Sequence, residues 1–262
     1  RFNAMKENVS NLAHDTVFEV RNVTSRDRKK VRDISFSVCR GEILGFAGLV
    51  GSGRTELMNC LFGVDKRAGG EIRLNGKDIS PRSPLDAVKK GMAYITESRR
   101  DNGFFPNFSI AQNIAISRSL KDGGYKGAMG LFHEVDEQRT AEAQRELLAL
   151  KCHSVNQNIT ELSGGNQQKV LISKWLCCHP EVIIFDEPTR GIDVGAKAEI
   201  YKVMRQLADD GKVILMVSSE LPEIITVCDR IAVFCEGRLT QILTNRDDMS
   251  EEEIMAWALP HE

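Results

Sequence analysis

The chain has 262 residues, of which 42% are hydrophobic, enough to bury the core of one large domain or of two modest ones. Its formal net charge is −2, so we expect no general attraction to nucleic acid or to an anionic membrane surface. No apolar run reaches the roughly 18 residues of a membrane-spanning helix, and no signal-peptide pattern opens the chain. Because the first residue is Arg1 rather than methionine, we expect a fragment of a longer protein.

Seven cysteines are scattered through apolar segments, and their spacing matches no zinc-binding pattern. Such cysteines are typical of a reducing cytosol, where the side chain behaves as a small hydrophobic group. The run Cys177-Cys178-His179 could hold a metal, but no second ligand pair at the usual spacing accompanies it. We therefore expect these residues to be structural.

Residues 1–15 are polar and predict a linker or N-terminal arm, and residues 16–262 are expected to form the folded domain. Apolar and polar residues alternate at 17–20 and 34–38, as they do in strands with one buried face. A further strand, at 71–74, leads into an Asn-Gly turn. Short apolar runs typical of buried parallel strands lie at 43–47, 92–95, 182–185 and 213–217.

Helical patterns separate these strands. The clearest lies at 196–209, where the apolar residues share one face, and Ser250 with the three glutamates after it predicts a further helix start. The stretch at about 98–178 is polar, contains the glycine-rich run 122–127 and is mostly helical in pattern, most clearly at 137–150. The order of the elements predicts an α/β P-loop core with a helical subdomain inserted at about 98–178.

A phosphate-binding loop is predicted between the strand at 43–47 and a helix expected at 55–62. Its glycines let backbone N–H groups approach phosphate oxygens, and the positive end of the helix points at the anion. Alone, such a run could be no more than a tight turn, because Arg54 stands where the pattern requires lysine, and a planar guanidinium is not expected to occupy the position of a lysine ammonium. The residues assigned here to nucleotide binding are Gly48, Gly51, Ser52, Gly53, Arg54 and Thr55.

An acidic pair follows the apolar strand at 182–185. Asp186 is expected to hold Mg²⁺ through water, together with the hydroxyl of Thr55. Glu187 is expected to be catalytic, because it can orient or deprotonate an attacking water. The alternative interpretation is that the Asp-Glu-Pro run only caps the next turn.

A second candidate anion site precedes a helix expected at 167–176. Ser163 supplies a hydroxyl, and Gly164 and Gly165 expose backbone N–H groups at the helix N-terminus. Since the chain already has a phosphate-binding loop, this second site is most simply explained if it serves the nucleotide of another domain.

These runs resemble the motifs of ATP-binding-cassette (ABC) ATPases. Residues 162–169, Leu-Ser-Gly-Gly-Asn-Gln-Gln-Lys, are similar to the family signature, and residues 182–189 are similar to its Walker B strand with a catalytic glutamate. The runs at 48–57, 186–195 and 217–223 further resemble the second, C-terminal cassette of the tandem ATP-binding subunit of bacterial monosaccharide importers of the ribose, galactose, xylose, arabinose and allose type. The resemblance covers the chain from about residue 17 onward.

The resemblance implies a RecA-like P-loop core with an antiparallel β subdomain and a helical subdomain. It implies ATP and Mg²⁺ as cofactors, and a head-to-tail pair of cassettes in which each ATP lies between one phosphate loop and the other signature. Asp193 then holds the D-loop position at the partner's nucleotide. The implied partners are an N-terminal cassette of the same subunit, a membrane permease docked near residues 97–108 and, indirectly, a periplasmic sugar-binding protein. No nucleic acid is expected, and the implied location is peripheral, on the cytoplasmic face of the bacterial inner membrane.

Three further positions depart from the family pattern. Glu97 replaces the glutamine that contacts Mg²⁺ and is assigned to the metal with Thr55 and Asp186, and Ser219 replaces the switch histidine that touches the γ-phosphate. No aromatic residue lies at 26–31 to stack on adenine, a loss that could cost ~1–3 kcal/mol on the scale of base–aromatic stacking. The basic residues found there are more often a solvated charge run than a binding site. We therefore predict weak turnover in the chain's own pocket and an intact signature that serves the partner cassette.

Other functions fit parts of the pattern. Arg54, Glu97 and Ser219 are compatible with a non-hydrolysing regulatory or structural cassette. A soluble ABC protein of DNA repair or translation would need a long coiled-coil insertion or basic tracts, which the sequence lacks. A GTPase is suggested only by the run 245–248, Asn-Arg-Asp-Asp, which lacks the lysine of a guanine-binding motif.

Overall fold

The computed structural model describes residues 15–98, 103–121 and 134–260, and within them ten strands form two sheets with eight α-helices packed around them. The predicted arm at 1–14 and the glycine-rich run 122–127 lie outside the described residues. The division into residues 1–15, a domain at 16–262 and an insertion at about 98–178 remains a prediction. None of the helices described is long and apolar enough to cross a membrane.

The larger sheet has six strands. They are β3 Ile43–Gly48, β6 Met92–Ile95, β7 Val182–Asp186, β8 Val213–Val217, β9 Arg230–Cys235 and β10 Arg238–Thr244. Five of them run parallel, in the order β9, β3, β8, β7, β6, and β10 pairs antiparallel with β9 at the edge of the sheet. Strands β7 and β8 are buried at every position, as expected of parallel strands covered on both faces. The four predicted parallel strands are therefore confirmed.

The smaller sheet is antiparallel, in the order β2-β1-β4-β5, where β1 is Thr16–Ser25, β2 Ile34–Cys39, β4 Arg67–Leu74 and β5 Lys77–Asp78. Buried and exposed residues alternate along most of β2, which confirms the half-buried pattern. Asn75 and Gly76 join β4 to β5 with φ values of 50° and 75°, as a tight hairpin turn requires.

The helices follow in chain order: α1 Arg54–Phe62, α2 Pro84–Lys89, α3 Ile110–Lys121, α4 Glu134–Leu147, α5 Gly164–Leu176, α6 Val194–Asp209, α7 Leu221–Val227 and α8 Glu251–Ala258. A short 3-10 turn at Ile159–Glu161 precedes α5. Three groups of buried side chains hold these elements together. The first lies between the two sheets around α1, the second lies under α6, α7 and α8, and the third joins α3, α4 and α5.

The helix predicted at 137–150 instead ends at Leu147. Ala149 adopts a left-handed φ of 47°, and the ammonium of Lys169 on α5 donates to its carbonyl at 3.1 Å. The backbone N–H of Leu150 turns back to the Arg145 carbonyl at 2.9 Å. A local reversal of the backbone, with a tertiary contact from α5 on its carbonyl, therefore ends the helix before its apolar pattern stops.

Strands β9 and β10 are not predicted from the sequence. The available signal is the pair Glu236-Gly237, whose φ values of 46° and 78° form the turn between them. The apolar pattern of β10 is weak because this strand lies at the sheet edge and is only partly buried. Helix α5 begins at Gly164, three residues before the predicted start at 167. The sequence pattern misses this first turn because its two glycines have low helix propensity.

Replacing Ser250 should weaken the domain, because its hydroxyl accepts the backbone N–H of Glu253 at 3.2 Å and caps α8. We expect Ser250→Ala to lower the free energy of unfolding in urea by about 1 kcal/mol. The matched control is Ser37→Ala at an exposed position of β2, which should change it by less than about 0.5 kcal/mol. Equal effects of the two changes would show that the cap does not stabilise α8.

Candidate functional site

The candidate site lies at the carboxyl edge of the larger sheet. The register of neighbouring parallel strands places Phe46 of β3 and Asp186 of β7 on either side of Val217 of β8. The phosphate-binding loop, the acidic pair and the segment 218–219 therefore leave the sheet at the same edge. Ligands of open α/β sheets bind at this edge.

Glycine is required at two positions of the phosphate-binding loop. A Cβ on Gly53, which has a φ of 105°, would lie 2.2 Å from the Lys30 carbonyl oxygen, and one on Gly48, with a φ of 151°, would lie 2.5 Å from that of Phe234. At the loop tip Gly51 is exposed and has nothing close to it. Among the residues that the structure describes, none hydrogen-bonds the buried hydroxyl of Ser52, as expected if a ligand or water completes its bonding. These features fit a phosphate group.

Arg54 lies inside the site rather than in solvent. It is 7% exposed, and its Nη1 donates to the Ser218 carbonyl at 2.6 Å. Burial lowers the pKa of Arg54, and the negative charges of Glu187 and Asp186 oppose this effect. The guanidinium therefore braces the phosphate-binding loop against the end of β8.

The structure brings together the two residues with the strongest claim to Mg²⁺. The Thr55 hydroxyl donates to the Asp186 carboxylate at 3.3 Å, and Asp186 is 1% exposed. Burial raises the pKa of Asp186, while hydrogen bonds from Tyr94 and Thr55 act against this rise. A buried carboxylate beside a hydroxyl at the end of a phosphate-binding loop is a donor set that fits Mg²⁺.

Tyr94 belongs to the site but is not predicted from the sequence. Its hydroxyl lies 3.0 Å from Asp186 Oδ2 and 3.1 Å from Asn59 Oδ1. Burial raises the pKa of Tyr94, so that the hydroxyl keeps its proton as a donor. The available signal was its position in the predicted strand at 92–95, which pairs with the strand that carries the acidic pair.

Glu187 adopts a left-handed φ of 49° at the end of β7, and its backbone N–H donates to the Val217 carbonyl at 2.9 Å. Its carboxylate accepts a hydrogen bond from the Ser219 hydroxyl at 3.2 Å. Burial raises the pKa of Glu187, and the bond from Ser219 opposes this rise. A carboxylate of raised basicity, held by a neighbouring hydroxyl, is suited to take a proton from water.

Glu97 forms an ion pair with Arg190, and both side chains are exposed. In the part of the chain that the structure describes, no three acidic, histidine or cysteine side chains gather as a metal site. Glu97 is therefore not assembled with Asp186 and Glu187 here, and its role as a metal ligand remains a prediction. In the run 177–179, both cysteines are buried.

The second anion site lies on the surface. Ser163 is the exposed N-cap of α5, and its hydroxyl accepts from Asn166 at 3.0 Å. Gly164 begins the helix, and a Cβ on Gly165 would lie 2.6 Å from Ala196 Cβ. Asp193 caps the helix that carries Ala196. The structure thus joins Ser163, Gly164 and Gly165 to the D-loop position through the contact between α5 and α6.

The basic run at 26–30 is exposed and ordered by Asp27. This carboxylate accepts hydrogen bonds from the Ser25 hydroxyl at 2.6 Å and from the Lys29 N–H at 2.9 Å, which lower the pKa of Asp27 to about 2. The ammonium of Lys30 pairs with Glu56 at 3.3 Å. The basic side chains are exposed, as the solvated charge run predicts.

Ionised Asp186 should destabilise the protein when no nucleotide is added. Burial raises the pKa of Asp186 in the folded state, so at pH values above this pKa the ionised carboxylate lowers the free energy of unfolding. This loss of stability diminishes as the pH falls through the pKa. We expect Asp186→Asn to raise the Tm at pH 7.5 by about 2–4 °C, the effect of roughly 1 kcal/mol in a domain of this size.

The gain from Asp186→Asn should shrink at a lower pH, closer to the raised pKa of Asp186, and thermal unfolding in EDTA would measure it at the two pH values. Asp65→Asn, at an exposed position after α1, should have little effect at either pH. A loss of stability in Asp186→Asn at both pH values would show that the carboxylate is a net stabilising group.

Comparison with known proteins agrees with this geometry. Residues 31–190 match the family model described as ABC transporter. The chain is 98% identical over 262 residues to the D-allose import ATP-binding protein AlsA of Escherichia coli (strain K12), covering 100% of this chain and 51% of that protein. It is 46% identical over 246 residues to a ribose import ATP-binding protein RbsA of Bacillus cereus, covering 93% and 48%. The chain thus spans about half the length of the curated relatives it matches.

Solved structures are similar in fold. The ATP-binding cassette MJ1267 of an ABC transporter matches with a TM-score of 0.80 at 21% identity, over 94% of this chain and 100% of that one. A dimeric post-hydrolysis state of the cassette MJ0796, bound to ADP and Pi, matches with a TM-score of 0.72 at 20% identity, over 87% and 99%. The solved structures show the same fold, and the match to the family model together with the 98% identical relative shows that the chain belongs to the ABC transporter family as an ATP-binding domain.

Proposed function

We propose that the chain is the ATP-binding domain of an ABC-type importer and couples ATP binding and hydrolysis to the uptake of a monosaccharide. The observation that carries the proposal is the hydrogen bond between Thr55, at the end of the phosphate-binding loop, and the buried Asp186, which Glu187 follows in the chain. The D-allose and ribose import functions of the relatives support a sugar as the cargo. Allose is the favoured cargo because of the 98% identity.

Each residue of the pocket has a distinct part in this function. The backbone of the glycine loop and Ser52 bind the phosphates, and Thr55 and Asp186 would hold Mg²⁺. Bound Mg²⁺ supplies positive charge against the β- and γ-phosphate oxygens. Glu187 orients the attacking water and accepts its proton, and Ser219 holds the carboxylate of Glu187.

The chain's own pocket is proposed to turn over slowly. In phosphoryl transfer, positioning and charge stabilisation provide nearly all of the catalysis. Arg54 is hydrogen-bonded to the Ser218 carbonyl and Glu97 is paired with Arg190, so both side chains are already positioned by contacts within the protein. Ser219, at the switch position, is bonded to Glu187.

The exposed signature is proposed to serve a second cassette. Ser163, Gly164, Gly165 and Asp193 would face the ATP held by an N-terminal cassette in the other half of the longer subunit. The permease would dock near residues 97–108 and the helical subdomain. A periplasmic sugar-binding protein would act through that permease, which places the subunit on the cytoplasmic face of the inner membrane.

A non-hydrolysing cassette that only completes the partner's ATP site is the second candidate function. The hydrogen bond of Arg54 to Ser218 favours it, because it engages the guanidinium with the protein's own backbone. Turnover by the chain alone distinguishes the two: slow hydrolysis that depends on Glu187 supports the first, and binding without hydrolysis supports the second.

We expect the unaltered chain to hydrolyse ATP slowly, and Arg54→Lys to raise the rate by about tenfold, equivalent to about 1.4 kcal/mol of transition-state stabilisation. A lysine ammonium is compact and flexible, so it can reach the β- and γ-phosphates. Steady-state release of phosphate measures the rate, with Arg54→Ala as the control that should weaken ATP binding. Turnover by the unaltered chain as fast as that of a cassette with all motifs intact would refute the slow-pocket proposal.

In the longer subunit with its permease, we expect Ser163→Arg to stop hydrolysis in the partner cassette and to leave nucleotide binding to this domain largely intact. Loss of one preorganised donor from such a site commonly costs ~2.7–4 kcal/mol in the transition state, and the bulk of arginine would block closure. Arg54→Ala should spare most of the partner's turnover. If sugar-stimulated ATPase survives Ser163→Arg but is lost in Arg54→Ala, the assigned roles are reversed.

A further inference from the structure

Glu223 of α7 is a buried acidic residue at the end of the run 217–223, and no role is predicted for it from the sequence. It is 5% exposed. Its carboxylate accepts hydrogen bonds from Lys197 at 2.9 Å, Tyr201 at 2.7 Å and Ser218 at 2.8 Å, and from Thr189. Burial acts to raise the pKa of Glu223, but these four bonds together lower it below its ordinary value. The carboxylate is therefore charged at neutral pH and fully engaged.

One side of this network belongs to the nucleotide pocket. Ser218 donates its hydroxyl to Glu223, while its carbonyl accepts from Arg54 of the phosphate-binding loop. The next residue, Ser219, holds the carboxylate of Glu187. Any shift of 218–219 towards a bound nucleotide therefore moves a donor of Glu223.

The other side belongs to the surface that carries Asp193. Lys197 and Tyr201 lie on successive turns of α6, which begins directly after Asp193. The Asp193 carboxylate accepts the Ala196 N–H at 3.0 Å, and its carbonyl accepts the Lys197 N–H at 3.0 Å. These two amides report directly on the position of the cap.

The energetics favour a linking role over simple packing. A carboxylate at this depth is costly unless all of its partners stay in place, and well-packed apolar residues often stabilise such a position equally well. The donors of Glu223 come from three places, which are the end of β8, the loop after β7 and α6. If one of them moves alone, it leaves a buried charge short of a partner, so the three must move together.

We propose that Glu223 is a positioning residue that ties the nucleotide-facing segment 218–219 to the Asp193 end of α6, so that occupancy of this chain's pocket is transmitted to the surface facing the partner cassette. The inference rests on the proposed function, since it takes ATP as the ligand of the pocket. A pocket that hydrolyses ATP slowly then still has a role, because its occupancy controls the surface around Asp193 that faces the partner cassette.

Amide hydrogen exchange on the chain, with and without ATP and Mg²⁺, tests the proposal. In the unaltered protein, we expect ATP to change exchange of the Ala196 and Lys197 amides by about fivefold or more, a local shift that this method resolves. In Glu223→Gln, ATP affinity should change by less than about threefold, while the ATP-induced change at these amides falls below about twofold. The isosteric amide keeps the shape, and Lys197 keeps its bonds to Glu220 at 2.8 Å.

Two variants separate coupling from a general loss of stability. Glu42→Gln alters another buried glutamate, 1% exposed and paired with Arg230 at 2.6 Å, and it should keep the full ATP-induced change. Tyr201→Phe removes one donor of Glu223 and should give an intermediate change. An undiminished response in Glu223→Gln, or an equal loss in Glu42→Gln, would overturn the proposal.

A third experiment needs no nucleotide. Arg54→Ala frees the Ser218 carbonyl, so it should speed exchange at Ala196 and Lys197 about threefold in the unaltered background and much less in Glu223→Gln. Equal effects in the two backgrounds would refute the coupling. If the unaltered protein binds no ATP, the proposed function fails, and this experiment still decides whether Glu223 links the two sides.

Discussion

Negative charge buried at the carboxyl edge of the larger sheet is the constraint on which the rest of the structure depends. Asp186 and Glu223 are 1% and 5% exposed, and a carboxylate at such depth costs on the order of several kcal/mol unless it is paired and hydrogen-bonded. Their donors come from α1, β6, α6, the end of β8 and the loop after β7. Satisfying two charges therefore sets how five parts of the chain lie relative to one another.

Arg54 shows how this constraint shapes the pocket. Its buried guanidinium lowers the electrostatic cost of Asp186 and Glu187, and its bond to the Ser218 carbonyl holds the phosphate-binding loop against β8. In the proposed function, a bound nucleotide has to compete with these interactions of Arg54. This arrangement is in line with the slow turnover proposed above.

The exposed signature is built on different supports. Helix α5 packs in the second and third groups of buried side chains, and its first turn lies so close to α6 that a Cβ on Gly165 would collide with Ala196. Ser163 is therefore held by contacts outside the phosphate-binding loop. This arrangement fits the proposal that an altered pocket coexists with an intact surface for a partner cassette, with Glu223 as the proposed link between Asp193 and the pocket.

The sequence by itself determined the α/β class, the four buried parallel strands and the position of the phosphate-binding loop, because apolar periodicity and glycine spacing are local properties. It did not determine the end of α4, the strands β9 and β10, or the parts played by Tyr94 and Glu223. These depend on contacts between residues far apart in the chain: Lys169 with the Ala149 carbonyl, and Asp186 with Tyr94 across two paired strands. Only the tertiary structure decides which buried charge meets which donor, because no local pattern records distances between separate elements.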